Sequence, residues 1–81
     1  MSVKETILQL INQESLVSNP ITETTDLYKD LYFDSLSFVC LLINIEEQCH
    51  VTIELSEMAD CRMVGQLIKI VENKRVEENN D

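Results

Sequence analysis

Apolar residues recur at helical spacing in three parts of this 81-residue chain. From Ser2 to about Gln13, the residues Val3, Ile7, Leu8, Leu10 and Ile11 share one side of a helix. Ser2 is placed to cap it, with Glu5 as the capping-box partner three residues on. A second helix is expected from about Ser35 to Gln48 or Cys49. A third runs from Val64 to about Asn73, with Val64, Leu67, Ile68 and Val71 facing inward. Between the first two, Ser18 to about Asp34 (SNPITETTDLYKDLYFD) has no sustained period and reads as a long ordered loop with a short turn at Asp26–Lys29. Ile21, Leu27, Leu31 and Phe33 can pin it to the core, and loops of this length are usually functional. HVTI after the second helix reads as an extended linker, and Ser56 as the cap of a short helical turn, SEMAD, whose box position holds Ala59. The expected architecture is all-α: a small four-helix bundle of three main helices and one short one, with the long loop between helices one and two. It occupies residues 1–74, and 75–81 read as a flexible polar tail.

The second helix carries more apolar surface than an ordinary helix needs. With Ser35 at 0° and about 100° per residue, Phe38, Leu41, Leu42, Ile45 and Cys49 fall between roughly 240° and 340°, one core face. Leu36, Val39 and Ile43 fall at roughly 40–100°, on the side of Ser35, while Ser37, Asn44 and Gln48 hold the opposite arc. Two readings are compatible with this, and both can hold in part: the helix is central and buried on most sides, or the second stripe is a partly exposed docking surface beside Ser35.

Composition narrows the classes of function. Fifteen acidic against six basic residues give a net charge of −9, which opposes nucleic acid and anionic membrane surfaces as partners. A docking partner would present a basic surface. Cys40, Cys49 and Cys61 are odd in number and lack CxxC spacing, so reduced thiols in a cytoplasmic monomer are expected rather than a disulfide framework or zinc site. Glu5 interrupts any signal-like segment at the N-terminus, and no membrane span is expected. The loop carboxylates Glu23, Asp26 and Asp30 read as a solvated face.

Asp34-Ser35 stands at the mouth of the second helix, and both residue types are preferred N-caps. Ser35 has no support as a nucleophile: the single histidine, His50, lies at the far end of the helix, roughly 22 Å away, and no glycine-rich elbow surrounds the serine. No isolated pair of carboxylates offers general acid–base chemistry either. Two roles remain open for Ser35, a helix cap or a substrate for modification by another enzyme. The second needs an exposed hydroxyl and docking features, and a phosphodiester there would gain from the helix dipole.

The segment LYFDSLSFVCLLINIEEQCHVTI resembles the attachment region of acyl and peptidyl carrier proteins. Leu31, Phe33, Asp34, Ser35 and Leu36 match the family's Leu-Gly-x-Asp-Ser-Leu start. Val39, Leu41, Ile45, Glu46 and Glu47 continue the helix, and Val51 and Ile53 match the Ile-x-Ile exit. Val64-Gly65 falls where the last helix begins, so the resemblance covers essentially the whole chain. It implies a stand-alone carrier, not an enzyme, with 4′-phosphopantetheine attached covalently to Ser35 from coenzyme A by a separate magnesium-dependent phosphopantetheinyl transferase. The arm's thiol would carry acyl or aminoacyl thioesters between a loading enzyme and downstream acyl-transfer or condensing enzymes. Asp34 would help to position the transferase's metal or basic residues. Leu36, Val39 and Ile43 would form the recognition stripe, with Glu46 and Glu47 as its acidic rim.

The chain departs from that pattern at three places. Tyr32 replaces the family's glycine, and Ser37 and Cys40 stand where many fatty-acid carriers place acidic residues. The loss of those charges favours a dedicated partner that grips an apolar face, in a specialised lipid, polyketide, nonribosomal peptide or D-alanyl system. The alternative is an unmodified, carrier-like bundle acting as a protein-interaction subunit.

Overall fold

A computed structural model describes residues 2–15 and 20–78, with side chains as far as Arg75. The described chain is helical: α1 (Val3–Glu14), α2 (Ser35–Cys49) and α3 (Val64–Glu78), with α1 packed against both others. No strand forms among the described residues, and an isolated antiparallel bridge pairs Asp26 with Met63.

Capping chemistry sets the start of α1. The Glu5 backbone N–H donates to Ser2 Oγ at 3.1 Å, and that hydroxyl donates to Glu5 Oε1 at 3.2 Å. Its buried residues, Ile7, Leu10 and Ile11, recur at three- and four-residue spacing, and Val3 and Leu8 pack at the edge of the core. The core is shared by every element: Leu27, Leu31 and Phe33 from the loop, Phe38, Leu41, Leu42, Ile45 and Cys49 from α2, and Val64, Leu67, Ile68 and Val71 from α3.

The segment Leu55–Met58 corrects the expected short fourth α-helix. It is a single 3₁₀ turn, capped by Glu54 rather than Ser56. The box residue is present as Glu57, whose Oε2 accepts the Glu54 backbone N–H at 2.9 Å. Glu57 also meets Lys74 Nζ at 2.9 Å, and with buried Met58 this fastens the turn to α3. The third helix runs to Glu78 instead of ending near Asn73. The polar run beyond Asn73 contains Lys, Arg and Glu, all good helix formers, and no Gly or Pro to stop it. Of the expected tail, 79–81 lie outside the described residues, as do Ser18 and Asn19 at the start of the long loop.

That loop is held by polar bonds as well as by its apolar anchors. Asp26 Oδ1 accepts the backbone N–H groups of Tyr28 and Lys29, both at 2.8 Å, and Asp30 N donates to Asp26 O at 2.9 Å. The turn therefore begins where expected, with Asp26 organising it. Backbone bonds then tie the loop to the start of α3: Leu27 N to Arg62 O at 2.8 Å, Val64 N to Thr25 O at 2.9 Å and Gly65 N to Glu23 O at 2.8 Å. Two otherwise unpartnered N–H groups of the α3 N-terminus are thus satisfied by loop carbonyls. Gln66 Oε1 accepts from Arg62 N and Met63 N and completes the junction. The acidic loop residues are structural rather than merely solvated: Glu23 pairs with Lys4 at 3.3 Å, and Asp26 pairs with Arg62 at 3.4 Å.

Candidate functional site at the mouth of helix two

The loop delivers the chain to α2 in a fixed direction. Leu31 and Phe33 are buried, and Tyr32 between them has φ 58°, in the left-handed region. This reversal lets the Phe33 N–H reach back to Leu27 O at 3.0 Å. Tyr28 is fixed against Phe38 of α2, with ring centroids 5.8 Å apart, and the Arg62 guanidinium lies 5.4 Å from the Tyr28 centroid.

The competition between Asp34 and Ser35 for the cap is resolved in favour of Asp34. Its backbone is extended (φ −110°, ψ −176°), and its Oδ1 accepts the Ser37 backbone N–H at 2.8 Å. That bond, joined by one from the Ser37 side chain, holds the Asp34 carboxyl below its ordinary range. Ser35 becomes the first helical residue, exposed, with its hydroxyl not engaged in capping. The chain's histidine, His50, closes the opposite end of α2 in a left-handed conformation (φ 56°, ψ 48°).

Both apolar arcs expected on α2 exist, and they differ in burial. Phe38, Leu41, Leu42, Ile45 and Cys49 are all buried. Leu36 is 72% exposed, Ile43 is 48% exposed, and Val39 is half-buried. The helix is not surrounded, and the second stripe faces outward beside Ser35. Leu55, 63% exposed on the 3₁₀ turn, adds to the exposed apolar surface and had no signal in the sequence beyond its place after a short linker. The two expected rim residues part company. Glu47 is exposed, whereas Glu46 Oε2 accepts the Ile53 backbone N–H at 2.8 Å and holds the exit segment against α2.

The thiols divide in the same way. Burial raises Cys61 to about 11 and raises Cys49 against the opposing charge of Arg75, so neither is a nucleophile at neutral pH. Cys40 is half-exposed on α2.

This end of α2 presents an exposed serine at the first position of a helix, capped by the residue before it and beside an outward apolar stripe. Residues 5–71 match the family described as the phosphopantetheine attachment site, and the chain belongs to it. No curated protein and no solved structure matched. Domains of this family are carriers that hold 4′-phosphopantetheine covalently and interact with transferases and biosynthetic enzymes. The residues present fit that group. A phosphodiester on an exposed serine at the first position of a helix lies at the positive end of the helix dipole, and the outward Leu36 adjoins it. No described helix is long and apolar enough to cross a membrane.

Proposed function

We propose that Ser35 is the attachment residue and that the protein presents acyl or aminoacyl thioesters to partner enzymes. The observation that carries this reading is the division of labour at the helix mouth: Asp34 makes the cap, and Ser35 is left exposed beside it. In loading, the Ser35 oxygen forms a bond to the phosphorus that bears the pantetheine arm of coenzyme A. The pyrophosphate link breaks, 3′,5′-ADP leaves, and the transferase takes up the serine proton. The bound group supplies a flexible arm ending in a thiol. This chain holds its phosphate end at a fixed point on α2 and offers the surface by which partners find it.

Leu36, Val39 and Ile43 form the centre of that surface, and Glu47 supplies acidic rim on its flank. Glu46 contributes through its free oxygen while also positioning the exit segment. Asp34 faces the transferase's cations with the carboxylate that caps the helix. With −9 overall and no Lys or Arg between Ser35 and Cys49, the matching partner surface is basic at its edge and apolar at its centre. Ser37 and Cys40 give α2 fewer charges, which favours a dedicated partner that grips an apolar face, in a specialised lipid, polyketide, nonribosomal peptide or D-alanyl pathway.

Intact mass after incubation with coenzyme A and a broad-specificity pantetheinyl transferase tests the proposal. The expected result is a gain of one phosphopantetheine in the wild type and none in Ser35→Ala. A wild type that gains nothing would leave the bundle as an unmodified interaction subunit.

A further inference from the structure

Tyr32 carries two costs that folding does not explain. It is a non-glycine residue at φ 58°, a conformation that costs an L-residue roughly 1–2 kcal/mol relative to right-handed backbone. It also leaves its ring 75% exposed, so the side chain contributes little to the core that surrounds its neighbours Leu31 and Phe33. A glycine would make the same reversal without either cost. Backbone strain held at one residue beside a functional point calls for a role for the side chain that is kept there.

Position indicates the role. Tyr32 lies three residues before Ser35, no more than about 11 Å of extended chain away, and Leu36 follows Ser35 directly. Of the four large apolar side chains most exposed among the described residues, these two flank the serine on either side. One methylene beyond the phosphate, a phosphopantetheine arm has a quaternary carbon bearing two methyls, an apolar knob a few bonds from the serine oxygen. A tethered group meets adjacent surface at a high effective concentration, on the order of millimolar for a short flexible link, so a shallow apolar shelf can bias its position.

We propose that Tyr32 and Leu36 form a shelf for the geminal methyls of the arm, and that Tyr32 is retained in its left-handed conformation to supply that shelf. It is a positioning residue: it biases the direction in which the arm leaves α2 and restricts its sweep. The proposal rests on attachment at Ser35, and its ring, not its hydroxyl, does the packing.

The test is proton NMR of the purified holo protein, its loading first verified by mass. In wild type, the two diastereotopic arm methyls are expected upfield of their positions in free phosphopantetheine and more widely split than there, with nuclear Overhauser contacts to the Tyr32 ring and the Leu36 methyls. Tyr32→Phe keeps both signatures; Tyr32→Gly loads fully but returns the methyls to their free positions. Thermal stability of Tyr32→Gly is expected to equal or exceed that of wild type. A loaded wild type whose methyls sit at the free positions without contacts overturns the shelf while leaving the carrier reading intact. A marked fall in the Tm of Tyr32→Gly overturns it as well, because the ring would then be a structural element. Failure to load Ser35 at all sinks the carrier reading instead.

Discussion

Asp34 and Ser35 are adjacent, similar in size and equally suited by type to cap a helix, yet only one does so. The consequence is a separation of phenotypes between neighbours. Ser35→Ala is expected to leave Tm unchanged and abolish modification. Asp34→Ala, which loses the 2.8 Å bond to Ser37, is expected to lower Tm on the order of 5 °C in thermal unfolding followed by circular dichroism. The residue scale is also where sequence was least informative. Which of two possible caps acts depends on backbone dihedrals, and those depend on the buried anchors Leu31 and Phe33 that fix the approach. The same holds for Tyr32 and His50, both left-handed without being glycine. The thiols give a further prediction. A thiol-specific reagent at neutral pH should label Cys40 in the folded protein and reach Cys49 and Cys61 only on unfolding, because those two are buried and their thiols are held protonated. Equal labelling of all three in native protein would contradict the described core.

At the scale of elements, α2 carries two apolar arcs of different burial, and helical periodicity was enough to separate them. Every residue placed on the core arc is buried, and the second arc is outward or half-buried. Leu41→Ala should cost about 2–5 kcal/mol in denaturant unfolding, a large share of the roughly 5–15 kcal/mol that holds a domain together. Leu36→Glu and Val39→Glu should keep native helicity and instead slow loading by the transferase. Unfolding of both would mean that the stripe is core. The turn at Leu55–Met58 was only half legible. A turn after the extended linker follows from the sequence, but its start at Leu55, its 3₁₀ form and its Glu54–Glu57 cap depend on tertiary fastening to Lys74. The helix α3 runs past its expected end near Asn73 because Lys, Arg and Glu propagate helix well, so a charged run carries no stop signal.

For the whole molecule, the arrangement of charge matters more than its sum. Asp26 is held below its ordinary value chiefly by the Lys29 N–H, with Tyr28 N–H and Arg62 adding to it against the effect of burial. Asp34 is lowered by Ser37, and Glu57 by the Glu54 N–H and Lys74. Lowered carboxylates stabilise the fold fully above their ordinary values of 3.8 and 4.5 and lose that contribution as pH falls through their folded values. Acid therefore removes the ties between loop, α2 and α3 even as it relieves the repulsion of a −9 chain. At physiological salt, where diffuse repulsion is screened, Tm should fall below about pH 4, and Asp26→Asn should flatten that fall. The all-helical fold, the pinned loop and the serine at the helix mouth were all legible in the sequence, because each follows from periodicity or from a short motif. The loop-to-α3 junction was not, since Gly65 N to Glu23 O joins residues far apart in sequence and leaves no local trace.

Attachment of the arm at Ser35 is tested most directly by fragment-ion mass spectrometry of the loaded protein. The two serines at the mouth of α2, Ser35 and Ser37, are separated by a single residue and can be distinguished by the fragments between them. The account predicts the phosphopantetheine on Ser35 alone, because Ser37 is drawn into the Asp34 cap. Modification of Ser37, or a chain that remains unmodified under conditions that load other carriers, would contradict it.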